Sequence, residues 1–346
     1  MRAVVFEDVG RVRVADVPDP TVEEPSDAVV RVTRAAICGS DLHFFHLKAP
    51  IDPGEVLGHE AVGVVESVGP QVTRFVPGDR VVVAFVIACG SCWFCARGES
   101  SLCEDFRNLG AGAFGGNLPG AQAGFVRVPA ADVNLLEVPD DVEDESALFV
   151  GDVLTTGVYA ASLADAAPGD VVAGVGAGPV GYFCVQAALA AGAGEVHIID
   201  LEPERLALAA SVGAIPVNLR ERNPQTALFE ATGGRGADVV IEAVGSPSGF
   251  STAVDVVRRG GRVVVVGMYA GETIEVQLGV YWARAIDVRF AGICPVHAWW
   301  EHAMALVRSG AIDPAPIVSH RIPLEEAPRG YELFDRREAS KVVLIP

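Results

Sequence analysis

The sequence from position 171 to 181 reads Val171-Val-Ala-Gly-Val-Gly176-Ala-Gly178-Pro-Val-Gly181. Its apolar start predicts a buried strand, and the alanine-rich residues after Gly181 predict a helix, so the last three glycines form a G-x-G-x-x-G turn between them. Such a turn lets the backbone approach a pyrophosphate, whose charge then lies at the helix N-terminus. The alternative is a glycine-rich turn that serves only tight packing.

The next predicted strand strengthens the nucleotide interpretation. It runs from Val196 to Asp200 and ends in a carboxylate nineteen residues after Gly181. A carboxylate at this place accepts hydrogen bonds from the adenosine ribose hydroxyls and repels a 2′-phosphate, which favours NAD over NADP. Arg205, one helical turn further on, could partly offset that repulsion.

The stretch around this turn has no charged residue between Asp170 and Glu195, which is long enough to cross a bilayer. Its glycines, and acidic flanks without a Lys or Arg bias, favour a buried strand, turn and helix instead. The charged N-terminus does not resemble a signal peptide. We therefore expect a soluble, cytoplasmic protein.

Regions on either side of the turn differ in pattern. Residues 1–152 are short valine-rich runs broken by Gly, Pro and Asp, which predicts a mostly β domain. From 153 to 294 apolar strands alternate with helical stretches, the pattern of a doubly wound parallel sheet in an α/β protein. Residues 295–346 predict a helix and a last strand. A length of 346 residues is consistent with two domains.

The net charge of −19 excludes two classes of partner. Nucleic-acid affinity is built from Lys and Arg that neutralise phosphates, and anionic membrane surfaces attract the same residues. We therefore expect neither a nucleic acid nor a membrane among the partners.

Four of the seven cysteines lie within fifteen positions, at Cys89, Cys92, Cys95 and Cys103. Four thiolates folded back this tightly suit a closed tetrahedral zinc site, which is structural because it has no open position. Two disulfides are one alternative, although disulfide-rich modules are short and dense in cysteine throughout. An iron–sulfur cluster is the other, although its usual spacings differ. The predicted lobe spans about 89–103.

A second set of metal-ligand residue types lies in the first half, within Cys38-Gly-Ser40-Asp41-Leu-His43, Gly58-His59-Glu60 and Gly151-Asp152. A catalytic zinc needs three protein ligands and one open position, which Cys38, His59 and Asp152 could supply. Glu60 is an alternate ligand, and Asp41 suits a role in orienting the His59 ring. Taken singly, each of these residues is more often part of a core or a surface.

The chain resembles the zinc-dependent medium-chain dehydrogenases, the family that includes alcohol, threonine, sorbitol and formaldehyde dehydrogenases, because its motifs follow one another in the order that this family has. The resemblance covers nearly the whole length. It implies a GroES-like catalytic domain (1–152), a Rossmann domain (153–294), a C-terminal return to the catalytic domain (295–346), and an active site in the cleft between the domains. It also implies two zinc ions per chain, one catalytic and one structural, and NAD(H).

The resemblance assigns roles to further positions. Cys38, His59 and Asp152 match the catalytic zinc ligands, and Glu60 matches an alternate ligand that binds the metal when substrate is absent. Ser40 and His43 match the proton relay. The positions that match the cofactor contacts are Gly176, Gly178, Val180, Gly181, Asp200, Arg205, Val266, Gly267, Met268 and Lys341. Asp152 stands where several members have a second Cys. The short segment between Cys103 and Gln122 is similar to that of bacterial tetrameric members, which favours a homotetramer over a dimer.

The expected reaction is the reversible NAD-linked oxidation of a primary or secondary alcohol to an aldehyde or ketone, by hydride transfer from a zinc-bound alkoxide. By resemblance, the substrate pocket is mainly apolar, with Phe85, Leu109, Met268 and Cys294 near it. Polyol, threonine or formaldehyde oxidation is the alternative within the family. A metal-free quinone or enoyl reductase would lack the ligand set, and a non-catalytic zinc- and NAD-binding protein would show zinc without turnover.

Overall fold

The structure is a computed structural model that describes all 346 residues. In chain order, the strands are β1 (Arg2–Asp8), β2 (Arg11–Asp16), β3 (Ala28–Ile37), β4 (Glu60–Val68), β5 (Arg80–Val83), β6 (Val86–Ile87), β7 (Arg107–Asn108), β8 (Phe125–Val128), β9 (Leu135–Glu137), β10 (Val171–Val175), β11 (Glu195–Asp200), β12 (Ile215–Asn218), β13 (Ala237–Glu242), β14 (Val257–Val265), β15 (Asp287–Phe290), β16 (His320–Pro323) and β17 (Val342–Ile345).

The α-helices are α1 (Asp41–Phe45), α2 (Ala131–Asn134), α3 (Asp144–Leu148), α4 (Val153–Ala164), α5 (Pro179–Ala190), α6 (Pro203–Ser211), α7 (Pro224–Ala231), α8 (Pro247–Val256), α9 (Leu278–Arg284), α10 (Trp300–Arg308) and α11 (Ala327–Asp335). Short 3-10 helices lie between several of them, including Phe149–Gly151, Cys95–Arg97 and Ser100–Leu102.

The chain forms two compact units. The first combines Met1–Thr155 with Pro295–Pro346, and the second is Thr156–Cys294. The sequence predicts domain boundaries after residues 152 and 294. The structure divides the chain after Thr155, three residues later than the first prediction, and after Cys294.

The first unit is organised around a seven-stranded sheet of order β16-β17-β3-β4-β5-β9, in which β8 also pairs with β3. The long β3 and β4 pair antiparallel along most of their length. The C-terminal strand β17 pairs antiparallel with the end of β3, which brings residues 342–344 beside residues 35–37. The sheet is packed by one large apolar core built mainly from valines of these strands and from α11.

The second unit is a six-stranded parallel sheet of order β12-β11-β10-β13-β14-β15. Counted from β10, this is the 3-2-1-4-5-6 order of dinucleotide-binding domains, with its switch point between β10 and β13. Side chains alternate between faces: Val172 packs into one core, and Val171, Ala173 and Val175 pack into the other. The predicted α/β class with a parallel Rossmann sheet is confirmed.

The uncharged stretch that could have been a membrane span is β10 followed by α5. No single helix is long and apolar enough to span a membrane. By length and composition alone, one bent pair of helical segments passes that test, Asp144–Gly151 with Val153–Ala164, at an angle of 52°.

Candidate active site

Four of the predicted metal-binding side chains meet in one buried place in the first unit. The ligand atoms of Cys38, His59, Glu60 and Asp152 all lie within 4.8 Å of one another. Asp152 Oδ2 is 3.5 Å from Cys38 Sγ and 3.2 Å from His59 Nε2. One ion could contact sulfur, nitrogen and oxygen donors from this position, which is the mixed set that zinc accepts.

The fold of the sheet explains why residues so far apart in sequence meet here. Cys38 directly follows β3, and Glu60 opens β4, which pairs with β3 through Ala36. His59 therefore lies directly before the same strand. Asp152 follows the 3-10 helix Phe149–Gly151, whose Gly151 carbonyl accepts a hydrogen bond from Phe85 N, just beyond the end of β5.

The two predicted relay residues lie on one short helical segment beside this cluster. Ser40 Oγ is 3.1 Å from His59 Nε2, so the hydroxyl is on the side of the imidazole that faces the cluster. His43 lies on α1, and its backbone N–H donates to the Ser40 carbonyl, which places it one turn further on. Asp41 Oδ1 lies 3.2 Å from the other ring nitrogen, His59 Nδ1.

Lys341 and Glu60 form a fully buried ion pair, with Nζ 2.5 Å from Oε1 and both side chains 0% exposed. The Lys341 ammonium also lies 5.8 Å from the centroid of the Phe149 ring. The resemblance assigned Lys341 to the cofactor pyrophosphate, and that role stays a prediction, since the partner of its ammonium within the first unit is Glu60.

The cysteine quartet forms a second cluster, with the sulfur atoms of Cys89, Cys92, Cys95 and Cys103 within 4.8 Å of one another. All are free thiols, and Cys92 Sγ lies 3.9 Å from Cys103 Sγ, far beyond a disulfide bond length. Backbone N–H groups point at the sulfurs, as from Cys92 to Cys89 Sγ at 3.4 Å and from Asp105 to Cys103 Sγ at 3.3 Å. Such bonds favour thiolates, and four thiolates suit a closed zinc site.

The glycine turn of the second unit lies at the carboxyl end of β10, directly before α5. A Cβ on Gly181 would lie 1.9 Å from the Gly176 carbonyl oxygen, and one on Gly176 would lie 2.7 Å from a Val244 methyl group, so neither position has room for a side chain. Gly176 has a φ of +95°. Val180 packs against the core of this unit at the start of the helix.

Asp200 ends β11 beside this turn. Its Oδ2 accepts a hydrogen bond from Ala177 N at 2.6 Å, and its Oδ1 accepts from Leu201 N at 2.7 Å and Glu202 N at 2.9 Å. The Arg205 guanidinium is also close, since a Cβ on Gly178 would be 3.8 Å from Arg205 Nη1. The structure therefore brings the turn, Asp200 and Arg205 together within one unit.

Val266, Gly267 and Met268 follow the end of β14, next to the end of β13. Their position depends on Glu242, a buried residue without a motif of its own. Its backbone carbonyl accepts from Val266 N and Gly267 N, and its Oε1 accepts from Val244 N and Gly245 N at 2.8 and 2.9 Å. Burial raises the pKa of the Glu242 carboxyl.

The four residues expected near the substrate divide between the units. Phe85 and Leu109 are buried in the first unit, and the Phe85 ring centroid is 6.1 Å from that of His59. Met268 is 39% exposed and Cys294 is buried, and both belong to the second unit. Of these four, Phe85 is the one whose ring lies against a ring of the metal-ligand cluster, that of His59.

Comparison with known proteins matches both halves of the chain. Residues 24–140 match the alcohol dehydrogenase GroES-like domain, and residues 179–309 match the zinc-binding dehydrogenase domain. A probable zinc-binding alcohol dehydrogenase from Mycobacterium tuberculosis is 41% identical over 99% of this chain and 87% of its own length. The chain belongs to the zinc-dependent medium-chain dehydrogenases.

Solved structures of this family agree along the whole length. An alcohol dehydrogenase from Thermus sp. ATN1 is 47% identical, with a TM-score of 0.95 over 100% of this chain and 99% of that one. A zinc-binding dehydrogenase from Sinorhizobium meliloti, solved with NADP bound, is 31% identical, with a TM-score of 0.89 over 100% of this chain and 99% of that one. The protein is thus an oxidoreductase of the alcohol dehydrogenase class that uses zinc and a nicotinamide cofactor.

The charges around the buried cluster fit a zinc ion of such a dehydrogenase. Burial, followed by the charges of Asp152 and Glu60, raises the pKa of Cys38 to about 11. Burial alone would lower the pKa of His59, but the charges of Asp41 and Cys38 raise it well above 6.5. The cluster contains more acidic groups than fixed cations, because its one fixed cation is Lys341, which already forms an ion pair with Glu60. A divalent cation would therefore stabilise the thiolate and compete with the proton on His59 Nε2.

Sequence reasoning missed several residues that support these sites. Gln122 and Tyr331 are fully buried and hydrogen-bonded to each other behind Asp41. His297 connects Ser100, in the cysteine lobe, to Asn134, with both contacts at 2.8 Å. None of these belongs to a motif, and only the folded chain brings them beside the residues they support.

Proposed function

We propose that Cys38, His59 and Asp152 bind a catalytic zinc, that the cysteine quartet binds a second, structural zinc, and that the enzyme oxidises simple primary or secondary alcohols reversibly with NAD. The observation that carries the proposal is the buried cluster itself, in which one thiolate, one imidazole and one carboxylate lie within reach of a single ion beside the Ser40 hydroxyl. Three protein ligands leave a position for substrate.

When bound, zinc supplies a Lewis acid that favours the ionised form of an alcohol. Ser40 lies where it can accept the substrate hydroxyl proton, because its Oγ is 3.1 Å from the imidazole nitrogen that faces the cluster. His43, one turn along the same segment, is the next proton acceptor on the way to solvent. A nicotinamide cofactor held by the proposed contacts at the glycine turn and Asp200 would supply the hydride acceptor, so that the alcohol would lose one hydride and one proton in total.

Glu60 belongs to the cluster with one of its two carboxylate oxygens held by Lys341. Its Oε1 is 2.5 Å from the ammonium, whereas its Oε2 is buried without a hydrogen-bond partner. A free, buried carboxylate oxygen beside three ligands supports the proposal that Glu60 is an alternate ligand when substrate is absent. Asp41 completes the set by orienting His59.

NAD is proposed as the preferred cofactor because Asp200 presents a carboxylate at the end of β11 beside the glycine turn. A carboxylate there suits ribose hydroxyls and repels a 2′-phosphate. The proposed cofactor contacts are the turn residues with Asp200 and Arg205, the 266–268 segment and, more distantly in sequence, Lys341.

An apolar pocket is proposed because Phe85 and Leu109 are buried apolar side chains, and the Leu109 N–H donates to the carbonyl of Phe85, which lies beside the cluster. Phe85 lies close to His59, which favours small alcohols without further polar groups. Oxidation of polyols, threonine or formaldehyde remains the second candidate within the family.

The proposed assembly is a homotetramer in the cytoplasm. The exposed apolar side chains of the second unit, chiefly Leu278, Trp282 and Phe290, support an assembly of identical subunits. The absence of a disulfide among the seven cysteines supports a reducing compartment.

Metal analysis combined with turnover tests the proposal. We expect two zinc ions per chain, loss of turnover in Cys38→Ala and His59→Ala with the quartet zinc retained, and oxidation of ethanol, 2-butanol or benzyl alcohol with NAD in preference to sorbitol, threonine or formaldehyde. Full activity of Cys38→Ala without its second zinc would refute the chemistry. Faster oxidation of sorbitol would select the polyol alternative.

A further inference from the structure

We propose that Gln122 and Tyr331 are positioning residues for the reaction, which together fix the proton and the ring orientation of His59 by acting through Asp41. The inference rests on the proposed role of His59 as a zinc ligand. It concerns a chain of contacts that runs from the C-terminal helix α11 to the buried cluster, within the first unit.

The orientation of the Gln122 amide is determined by its neighbours. Gln122 Nε2 lies 3.1 Å from the Ala36 carbonyl oxygen and 3.0 Å from Asp41 Oδ2, and neither a carbonyl nor a carboxylate can donate. Both Nε2 hydrogens therefore have acceptors. Gln122 Oε1 in turn accepts the Tyr331 hydroxyl hydrogen at 2.9 Å. If the amide were flipped, its oxygen would face the Ala36 carbonyl oxygen and Asp41 Oδ2, and none of these three atoms can donate a hydrogen bond.

Asp41 receives two donors on a single oxygen. Its Oδ2 accepts from Gln122 Nε2 and, at 2.9 Å, from the backbone N–H of Cys38. The carboxylate is thus held as an acceptor, and its other oxygen, Oδ1, lies 3.2 Å from His59 Nδ1. A divalent cation that replaces the proton at Nε2 would leave the ring proton at Nδ1, toward Asp41 Oδ1, with the Nε2 lone pair facing the cluster. Metal-ligating histidines need this tautomer.

The network leaves little room to rearrange, because Asp41, Gln122 and Tyr331 are each 0% exposed. Gly58, directly before His59, has a φ of +92°, and a Cβ there would lie 2.3 Å from Gln122 Cγ. The Tyr331 ring packs against Phe45 at a centroid distance of 5.4 Å. A buried amide with every hydrogen bond made holds its orientation more firmly than one in water.

Three variants separate positioning from packing. Gln122→Met keeps the length of the side chain and removes its hydrogen bonds, and Tyr331→Phe removes one hydroxyl. Tyr182→Phe is the matched control, because Tyr182 is also 0% exposed but lies in the second unit. The quartet zinc serves as an internal reference in each protein.

The measurements are the rate of zinc release to a chelator and the visible spectrum of the cobalt-substituted protein. Loss of a partner that orients a metal ligand typically weakens metal binding about 10–100-fold, so we expect zinc release from the Cys38 cluster to be faster by about that factor in Gln122→Met. Tyr331→Phe should accelerate it by less, about threefold to tenfold, since the amide remains. Both should alter the cobalt spectrum of this site, whereas the quartet zinc and Tyr182→Phe should match the wild type.

The double variant tests whether Tyr331 acts through Gln122. If it does, adding Tyr331→Phe to Gln122→Met should change zinc release no further, because the amide that Tyr331 orients is gone. Additive effects, or wild-type release and spectra in both single variants, would overturn the inference. A wild-type protein that binds no zinc at the Cys38 cluster would instead refute the proposed function, so the two failures are distinguishable.

Discussion

At the scale of single residues, the proposed preference for NAD rests on Asp200. Replacing it by Gly should raise kcat/KM for NADP relative to NAD by about tenfold or more, which is about 1.4 kcal/mol, because the charge that repels a 2′-phosphate is removed. Asp200 also accepts backbone hydrogen bonds from the glycine turn. Asp200→Asn is therefore the control, since it removes the charge and keeps one acceptor oxygen. A wild type that already prefers NADP would show that Asp200 does not select the cofactor.

His297 is a residue whose protonation opposes folding. Burial lowers its pKa to about 4, and its two partners, Ser100 and Asn134, carry no charge. An unfolded histidine has a pKa near 6.5, so the unfolded chain takes up the proton first as the pH falls. The contribution of this site to stability is therefore complete above about pH 6.5 and is lost as the pH falls toward 4.

His297→Gln should accordingly flatten the loss of stability between about pH 6.5 and 4, a loss on the order of 2–3 kcal/mol in the wild type by linkage. Chemical unfolding at several pH values measures this. His302→Gln is the control, because His302 is exposed on the neighbouring helix α10. The interpretation of His297 would be wrong if the two variants lost stability with identical pH dependence.

At the scale of elements, the start of β4 depends on a glycine for two separate reasons. Gly58 has a positive φ, and a side chain there would collide with Gln122. Gly10, in the turn between β1 and β2, also has a positive φ of +71° but nothing within 4 Å of the Cβ position. Comparing the same substitution at Gly10 and at Gly58 therefore separates the cost of backbone strain from the cost of steric overlap.

Gly10→Ala should lower the free energy of unfolding by about 1 kcal/mol through backbone strain alone. Gly58→Ala should lower it by about 2 kcal/mol more, because the added methyl group displaces a buried side chain. Denaturant unfolding of both variants gives the difference. Equal losses in the two variants would mean that Gln122 yields at little cost and that its packing is looser than the distances indicate.

At the scale of the whole molecule, the second unit exposes an apolar surface around its sheet edge. The helix α9 has no buried residue, and Leu278 and Trp282 on it are 73% and 84% exposed. Phe290, in the edge strand β15, is 71% exposed. Exposed edge strands and large apolar patches are unusual on a monomer, and they favour burial against another copy.

Trp282→Glu should therefore shift the assembly toward smaller species at a given concentration, since a charge would be buried at the contact. Native mass spectrometry and light scattering measure the shift. Val9→Glu is the control, because Val9 is 53% exposed in the turn region of the first unit. A tetramer that survives Trp282→Glu, or a wild-type monomer, would contradict this assignment of the surface.

The sequence by itself determined the elements with strong local signals. The buried strand predicted from Val171, the helix predicted after the glycine turn and the strand predicted to end at Asp200 are all present, as β10, α5 and β11. Periodicity and turn residues are local properties, so they can be seen without the fold. The two proposed metal-ligand sets could be named from the sequence because each residue type has its own coordination chemistry and because the quartet lies close in sequence, and the structure brings each set together.

Tertiary structure alone decided what surrounds those ligands. Tyr331 lies 209 positions from Gln122, and Lys341 lies 281 positions from Glu60, and nothing in either local sequence marks them as partners. Hydrogen bonds of a buried polar group depend on which strands pair, here β17 with β3 and β3 with β4. Pairing between distant strands is decided by the packing of the whole sheet, which explains why the sequence points to candidate ligands but not to the residues that support them.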